Sequence, residues 1–484
     1  MSSNQTMFRS ALILAILALL AVSCSSEEPA STAAAITSES ELTPHQQLAK
    51  EIFRELVEID TTQATGNTTI AAEAMAARLL AAGFAADDVQ VIGPTDNRGN
   101  LVARYRGRDT GRRPLLLLAH LDVVDANPSD WTLDPFTFTE QDGFYYGRGT
   151  IDDKHEAAIH TANLIRLKRE GFQPDRDIIL ALTADEESGT QNGVLWLLAN
   201  HRDLIDAEYA LNEAGRGTLR DGEHIANVVQ ASEKVYQSYT LVVTNPGGHS
   251  SRPLKENAIY RLADALIRIR AYDFPITLNE ITQRYFERSA ELEEGELAAA
   301  MRGVLLSPPN PAAVAYLSGT PFYNGRLRST CVATELQAGH AENALPQHAQ
   351  ATVNCRVLPG ESVDAVQQTL ATVIGDREVT ITPIDPAVLS PPSPLTAEMM
   401  GAIEGVTEQM WPGVPVIPIM SLGATDGLYL RNAGIPVYGT SGVFVDINGF
   451  RAHGQNERIL VSSFFEGQEF LYRLTSKLSR SDVK

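Results

Sequence analysis

Hydrophobic and polar residues between Pro44 and about Ser232 follow two alternating periods. HQQLAKEIFRELVEI and NTTIAAEAMAARLLAAG carry apolar residues at helical spacing, whereas NLVARYRG, PLLLLAHLDVV, DIILALTAD and YALNEA are typical of strands. Some of these strands are mostly apolar along their length, which indicates a sheet that is buried on both faces. The pattern therefore predicts an α/β layer in which helices cover the sheet on both sides.

A different pattern begins at residue 234. KVYQSYTLVVTN alternates as a half-exposed strand does, PGGHSSRP breaks the chain, and ENAIYRLADALIRIRAY is amphipathic. After an irregular stretch, 274–328, two strands, a helix and a strand complete an order typical of an α+β unit. The Pro-rich PAVLSPPSPL then leads out of this unit. We therefore predict that 234–386 is inserted into a domain formed by 44–233 and 387–484.

The start of the chain has the composition of an export signal and a tether. ALILAILALLAV follows Arg9 and is too short to span a bilayer comfortably, which is typical of a signal-peptide core. It ends in AVSC (21–24), which resembles a bacterial lipoprotein signal, although nearby cleavage without lipidation is the alternative. We predict a signal peptide over 1–23, a lipid on Cys24 and a polar linker over 24–43. Because no Asp follows Cys24, the resemblance to bacterial sorting rules favours a periplasmic, outer-membrane lipoprotein.

Composition excludes one class of partner. The chain has 484 residues, of which 44% are hydrophobic and 20% charged, so it has ample apolar material for more than one domain. Its formal net charge is −21, and no block of lysine or arginine is present. Binding to a phosphate backbone would work against this field, so nucleic acid is not an expected partner. The only expected contact with a membrane is the lipid anchor.

Two further cysteines, Cys331 and Cys355, lie in the strand-like segments STCVATELQ and QATVNCRVL. If these strands pair as an antiparallel hairpin, the cysteines could lie opposite each other, within reach of a disulfide. An exported protein permits such a bond. Two buried free thiols are the alternative, and the sequence leaves both open.

Polar residues interrupt or end the apolar strands at several places. The segments are His120-Leu121-Asp122, GRGTIDDK (147–154), ADEESG (184–189), NEAG (212–215) and GFRAHGQNE (449–457). In open α/β sheets, sites form at the carboxyl ends of strands, so these side chains are candidates for one site. Two histidines and three carboxylates suit zinc, and they suffice for two metals that share a bridging carboxylate.

Taken together and in this order, the motifs resemble those of the co-catalytic zinc peptidase family. H-x-D, G-R-G-x-x-D-D-K, D-E-E-x-G, N-E-A-G and A-H-G-x-N-E match over nearly all of the chain from Pro44 onward. That family includes carboxypeptidase G, aminoacylase, acetylornithine deacetylase and succinyl-diaminopimelate desuccinylase. The resemblance implies a catalytic domain with a mixed sheet and an inserted α+β lid domain. The long segment 274–328 and GRGTIDDK look most like the branch of carboxypeptidase S and the secreted N-acyl-amino-acid hydrolases.

The resemblance also implies a ligand set. His120 and Glu213 would bind one zinc, Glu187 and His453 would bind the other, and Asp152 would bridge them. Manganese or cobalt could occupy similar sites. A cis peptide bond is expected after Asp152.

Asp122 and Glu186 are implied as the residues that assist the chemistry. Asp122 would accept a hydrogen bond from the ring nitrogen of His120 that zinc leaves free, which fixes the tautomer of the ring. Glu186 would be the general base that takes a proton from a metal-bound water and returns it to the leaving amine. The two-residue spacing places His120 and Asp122 on the same side of the strand end.

Four residues are implied as substrate contacts. His249, in PGGHSSRP, would stabilise the oxyanion of the tetrahedral intermediate, and in dimeric relatives this histidine reaches the neighbouring subunit. Arg356 would bind the terminal carboxylate of the substrate through its forked donors. Asn343, in AENALP, and the backbone at Gly423 would assist, although Asn343 could instead only shape its loop.

The sequence thus predicts a two-zinc hydrolase of peptides or N-acyl amino acids with a free C-terminal carboxylate. A two-zinc aminopeptidase is one alternative, but it would not need the inserted unit with His249 and Arg356. A lapsed hydrolase that serves as a peptide-binding lipoprotein is the other alternative, but every site position is filled. A homodimer formed through the lid remains open, as does the exact substrate.

Overall fold

The computed structural model of the chain describes residues 42–109, 111–187, 190–446 and 449–480. The predicted signal peptide, Cys24 and the linker up to residue 41 lie outside the described residues. Over the described ranges, no helix combines the length and the apolar character that crossing a membrane requires.

The described residues contain strands in four sheets. In chain order they are β1 (Val89–Ile92), β2 (Asn100–Tyr105), β3 (Leu115–His120), β4 (Thr139–Gln141), β5 (Phe144–Tyr146), β6 (Ile178–Thr183), β7 (Tyr209–Asn212), β8 (Gly217–Arg220), β9 (Glu223–Glu233), β10 (Val235–Thr244), β11 (Gly248–His249), β12 (Thr330–Ala338), β13 (Ala344–Leu345), β14 (His348–Val357), β15 (Thr380–Pro383), β16 (Val416–Ser421), β17 (Val437–Gly439), β18 (Phe444–Asp446) and β19 (Arg458–Leu460).

Helices separate most of these strands. They are α1 (Pro44–Glu58), α2 (Thr68–Ala81), α3 (Lys154–Arg169), α4 (Gly193–Asn200), α5 (Arg202–Ile205), α6 (Ala258–Arg270), α7 (Glu280–Leu292), α8 (Gly295–Val304), α9 (Pro311–Ser318), α10 (Pro321–Leu327), α11 (Val363–Ile374), α12 (Ala397–Met410), α13 (Gly427–Asn432) and α14 (Val461–Leu478). The first begins where the sequence signals a start, because Thr43 and Gln46 form a capping box around Pro44.

The largest sheet has ten strands in the order β1-β2-β6-β3-β7-β17-β9-β8-β18, with β16 paired to β9. It is mixed, since β3 runs parallel to β6 and β7 whereas β2 runs antiparallel to β6. All six residues of β3 and all six of β6 are buried. The predicted α/β fold class is therefore confirmed.

Helices cover both faces of this sheet. Successive side chains of a strand point to opposite faces, so one strand contributes to the core on each side. Leu115 and Leu117 of β3 belong to a core that contains residues of α1, α3 and α14. Leu116 and Leu118, one position along, belong to a second core with residues of α4 and α13. A run of four leucines is thus what a strand needs when helices pack on either side.

The second sheet has four antiparallel strands in the order β12-β14-β10-β15. Helices α6 and α11 supply Leu262 and Leu370 to the core on one of its faces. Alternate residues of β14 are buried there, whereas Thr352, Asn354 and Arg356 are partly exposed on the other face. The order of these elements along 234–386 is the strand–helix–strand–strand–helix–strand order that the sequence predicts.

The irregular stretch between these elements packs elsewhere. Helices α7 to α10 form a core in which Phe286, Met301 and Leu317 contact Ala226 of β9 and Ile417 of β16. These helices therefore cover an end of the ten-stranded sheet rather than enlarging the four-stranded sheet. Hydrophobic periodicity cannot reveal this choice, because it identifies an apolar face without identifying what covers it.

Cys331 and Cys355 form a disulfide bond between β12 and β14. The two residues lie directly opposite each other in the antiparallel register. The structure thus selects the bonded alternative of the two that the sequence left open.

Replacing both cysteines by serine should lower the free energy of unfolding by about 3 kcal/mol, as expected for a bond that closes a loop of this length. The bond spans 24 positions, and its removal leaves the unfolded chain less constrained. Urea unfolding with and without dithiothreitol measures the effect. Dithiothreitol should destabilise the wild-type protein and leave the double variant unchanged; equal unfolding midpoints for both proteins in the absence of dithiothreitol would contradict the expectation.

Candidate active site

Three neighbouring strands of the ten-stranded sheet end at predicted site residues. His120 is the last residue of β3, Glu186 and Glu187 follow β6, and Glu213 follows β7. Because β6 and β7 lie in parallel on either side of β3, their ends meet at one edge of the sheet. There, His120, Glu186 and Glu213 each offer a ligand atom within 4.8 Å of the others.

Asp152 lies between the two predicted halves of the site. Its Oδ1 atom is 3.2 Å from Nε2 of His120, and its Oδ2 atom is 3.5 Å from Nε2 of His453. The same nitrogen of His453 is 2.9 Å from Oε1 of Glu187. One carboxylate therefore directs its two oxygens to two imidazoles that are far apart in sequence. The cis peptide bond predicted between Asp152 and Asp153 is confirmed.

A buried glutamate positions the turn that carries Asp152. Glu457 accepts hydrogen bonds from the backbone N–H of Ile151 at 2.8 Å and from Nη1 of Arg148 at 2.6 Å. It belongs to the A-H-G-x-N-E motif, so it ties the segment after His453 to the turn before α3. The sequence motif contains this glutamate but does not indicate its role.

The surroundings of Asp122 differ in part from the expected arrangement. Nδ1 of His120 is 2.9 Å from the backbone oxygen of Asp122 and 3.7 Å from its carboxylate. The two carboxylate oxygens instead accept the backbone N–H groups of Glu186 and Glu187, each at 3.0 Å. Asp122 thus contacts the ring of His120 and also holds the turn that presents the two glutamates.

Burial and hydrogen bonding shift the pKa values of the residues of this cluster in opposite directions. Burial raises the pKa of Glu186, and burial together with Asp152 raises that of Glu213 to about 8. Burial alone would raise the pKa of Asp152, but hydrogen bonds from His120 and His453 hold it below its usual range. Hydrogen bonds to Asp152 and Glu187 raise the pKa of His453 to about 10.

This donor set fits divalent cations. Four carboxylates and two imidazoles converge at one sheet edge, and His120, Asp152 and Glu187 also place one ligand atom each within 4.8 Å of one another. Carboxylate oxygen and imidazole nitrogen are ligands that zinc and related metals accept. Ionised carboxylates this close repel one another, and the neighbouring Asp152 adds to burial in raising the pKa of Glu213; bound cations would offset that repulsion.

His249 lies in a small two-stranded sheet, and Asn343 directly precedes the second strand of that sheet. β11 pairs with β13, so that His249 lies opposite Ala344, and the backbone N–H of Ser250 donates to the backbone oxygen of Asn343 at 3.0 Å. His249 is exposed, and its Nδ1 atom accepts the backbone N–H of Ser251. Within the described ranges, no hydrogen bond or ion pair links this pair to the acidic cluster.

Arg356 lies on the open face of the four-stranded sheet. Its guanidinium is 4.7 Å from the ring centre of Tyr236, and burial lowers its pKa. It lines a cavity of about 520 Å³ together with other residues of that sheet and of the following segment. Gly423 lies in the exposed loop after β16, where its N–H donates to Oγ of Ser421 at 3.2 Å.

A group of buried polar residues lies at the start of α3, and the sequence motifs indicate no role for their side chains. Asp153, His155, Glu156 and His160 are at most 1% exposed, and their side-chain polar atoms have no hydrogen-bond partner among the described residues. Burial raises the pKa of Glu156 to about 7 and lowers that of His160 to about 3. Burial therefore favours the neutral forms of Glu156 and His160. Both residues belong to α3, the helix that follows the turn with Asp152.

Known proteins resemble this chain over most of its length. Residues 116–477 match the family described as Peptidase family M20/M25/M40. N-fatty-acyl-amino acid synthase/hydrolase PM20D1 of Homo sapiens is 29% identical over 384 residues, which are 76% of this chain and 75% of that protein. Carboxypeptidase S of Saccharomyces cerevisiae is 25% identical over 78% of this chain and 73% of its own length.

A solved structure shows the same fold. The M20 family metallo-carboxypeptidase of Sulfolobus solfataricus superimposes with a TM-score of 0.66 at 17% identity, covering 89% of this chain and 99% of that one. The family and the branch that the motifs predicted are confirmed. The chain belongs to peptidase family M20/M25/M40 and is a hydrolase that acts on amide bonds.

Proposed function

We propose that the protein is a two-metal hydrolase that cleaves the amide bond of small peptides or N-acyl amino acids with a free C-terminal carboxylate. The observation that carries this proposal is the position of Asp152, whose two oxygens face His120 and His453. A carboxylate shared in this way suits two cations held side by side. The names of the relatives, an N-fatty-acyl-amino acid hydrolase and a carboxypeptidase, support the substrate class.

His120 and Glu213 would hold one cation, Glu187 and His453 the other, and Asp152 both. Zinc is the metal that we propose, and manganese or cobalt would fit the same donors. When bound, the pair of cations would lower the pKa of a water and polarise the carbonyl of the substrate. Glu457 contributes by holding the turn of Asp152 in place.

Glu186 is the proposed general base. Its side chain lies beside His120 and Glu213, where it could reach a water held by the cations, and burial raises its pKa. It would accept the proton of the attacking water and deliver it to the leaving nitrogen. Asp122 positions it by accepting its backbone N–H.

Residues of 234–386 are proposed to bind and orient the substrate. This segment would act as a lid in which His249 stabilises the oxyanion and Arg356 binds the terminal carboxylate through its two-pronged guanidinium. Asn343 and the backbone at Gly423 would assist. The exposure of His249 leaves room for an arrangement in which the lid of a second copy supplies this residue.

Export and anchoring complete the proposal. Residues 1–23 would direct the chain out of the cytoplasm, and a lipid on Cys24 would tether it to the outer membrane on the periplasmic side. The disulfide between Cys331 and Cys355 supports an oxidising compartment, since such bonds persist there.

Metal removal tests the proposed function. The protein should lose hydrolysis of N-acyl amino acids and dipeptides after dialysis against a chelator and regain it with Zn²⁺, because the cations supply the electrophile. Elemental analysis of the active form should give about two ions per chain. As a control, the same substrates with an amidated C-terminus should be cleaved more slowly. Full activity of the metal-free protein would overturn the proposal.

A further inference from the structure

A second cavity, of about 320 Å³, lies between the ten-stranded sheet and the helices of 280–327. On the sheet side its lining includes Val228 of β9 and Ile417 of β16, and on the helix side Tyr285, Met301 and Phe322. Most of these walls are apolar, so the cavity suits an aliphatic or aromatic group.

This cavity adjoins the acidic cluster. Its lining includes Ala214, the residue after Glu213, and Phe450, which precedes His453 by three positions. Arg216 also lines it, and Nη2 of this side chain donates to the backbone oxygen of Ile151 at 2.9 Å, next to Asp152. A substrate bound at the cluster could therefore extend one of its halves into this cavity.

The feature that distinguishes the cavity is Arg326. This side chain lines the cavity yet is only 5% exposed, and its guanidinium stacks on the rings of Phe322 at 3.8 Å and Tyr285 at 4.8 Å. Its Nη1 atom donates to the backbone oxygen of Phe322 at 3.2 Å, whereas Nε has no partner. Within the described part of the chain, no carboxylate forms an ion pair with it. Burial lowers its pKa, as expected for a cation that lacks a counter-charge.

The other charges around the cavity do not neutralise Arg326. Glu293 pairs with Arg220 at 3.1 Å, and Arg216 bonds a backbone oxygen and lies 4.7 Å from the ring of Phe450. Asp446 is the second acidic residue of the lining. Arg216 also faces the carboxylates of Asp152 and Glu213, which lower its availability to a ligand, so Arg326 is the arginine of the lining whose charge is left to a ligand.

A buried guanidinium without a carboxylate is costly unless a ligand supplies the anion. Arginine is suited to bind a carboxylate because its planar donors match the two oxygens. We propose that this cavity binds the acyl half of the substrate, that the preferred acyl chain ends in a carboxylate, and that Arg326 binds this terminal carboxylate. The inference rests on the proposed function, in which Arg356 binds the carboxylate at the opposite end of the substrate.

The first test uses the wild-type holoenzyme and pairs of substrates of equal chain length. N-adipoyl-phenylalanine is compared with N-hexanoyl-phenylalanine, and N-suberoyl-phenylalanine with N-octanoyl-phenylalanine. A hydrogen bond between charged groups favours a ligand that can form it over one that cannot by about 10- to 100-fold. In at least one pair, kcat/KM should therefore be higher by such a factor for the substrate with the terminal carboxylate. An equal or higher kcat/KM for the alkyl member in both pairs would overturn the inference.

The second test assigns the preference to Arg326. R326Q should reduce the ratio of kcat/KM within the preferred pair toward one, and R326K should retain part of it. R284Q is the matched control, because Arg284 is an exposed residue of α7 paired with Glu287, and it should leave the ratio unchanged. A ratio in R326Q equal to that of the wild type would overturn the role of Arg326. R356Q should instead lower kcat/KM by a similar factor for both substrates of a pair.

These outcomes separate the inference from the function on which it rests. If no N-acyl amino acid is hydrolysed by the zinc-loaded enzyme, the proposed function fails. If both members of each pair are hydrolysed without preference, the function stands and the inference about Arg326 fails. A folded state of R326Q is verified by thermal unfolding and by its turnover of the alkyl substrate.

Discussion

Replacing Glu186 by glutamine is expected to lower kcat by about 10²- to 10⁴-fold, the range that a positioned acid–base group contributes. Glutamine has nearly the same shape but cannot accept a proton from water, so the proton transfer is lost whereas the packing is kept. The backbone hydrogen bond from residue 186 to Asp122 does not depend on the side chain. The measurement is steady-state hydrolysis of an N-acyl amino acid by the zinc-loaded variant.

Two controls make this result specific. The metal content of E186Q should equal that of the wild type, because Glu186 is assigned to the proton and not to a cation. E73Q, at an exposed position of α2, should leave kcat unchanged. If E186Q kept full turnover on every substrate that the wild type hydrolyses, the general-base role would be wrong.

Replacing Asp152 by alanine is expected to abolish measurable hydrolysis by removing the residue shared by both cations. Its two oxygens face His120 and His453, so no other side chain of the cluster replaces it in both places. Elemental analysis should show the metal content falling from about two ions per chain to less than one. Near-UV circular dichroism would confirm that the variant is folded.

A graded comparison supports this assignment. H453A removes a residue assigned to a single cation, so it should retain more metal than D152A. D87A, at an exposed position outside the site, should keep the full metal content and activity. Two ions per chain in D152A would refute the shared role of Asp152.

Much of the site could be predicted from the sequence because its residues follow apolar strands. His120 ends a run of buried leucines, and Glu186 and Glu213 follow two other buried strands. A parallel sheet places the carboxyl ends of such strands side by side, so the motifs converge without any further information. The structure places these strands next to one another, in the order β6-β3-β7.

The role of Glu457 and the second contact of Asp122 could not be predicted. The carboxylate of Glu457 accepts a hydrogen bond from the backbone N–H of Ile151. The carboxylate of Asp122 accepts the backbone N–H groups of Glu186 and Glu187. Every residue except proline offers a backbone N–H, so a sequence motif does not show which one a carboxylate will bind. These contacts depend on the path of the turns.

The amino-acid pattern was sufficient for the fold class, the order of elements in 234–386 and the set of residues at the strand ends. It was sufficient because periodicity and strand ends are local properties of the chain. The packing of 280–327 on the ten-stranded sheet, the cavity that this packing creates and the burial of Arg326 within it are not local. They depend on which apolar faces meet across long separations in sequence, and that choice is made by packing in three dimensions.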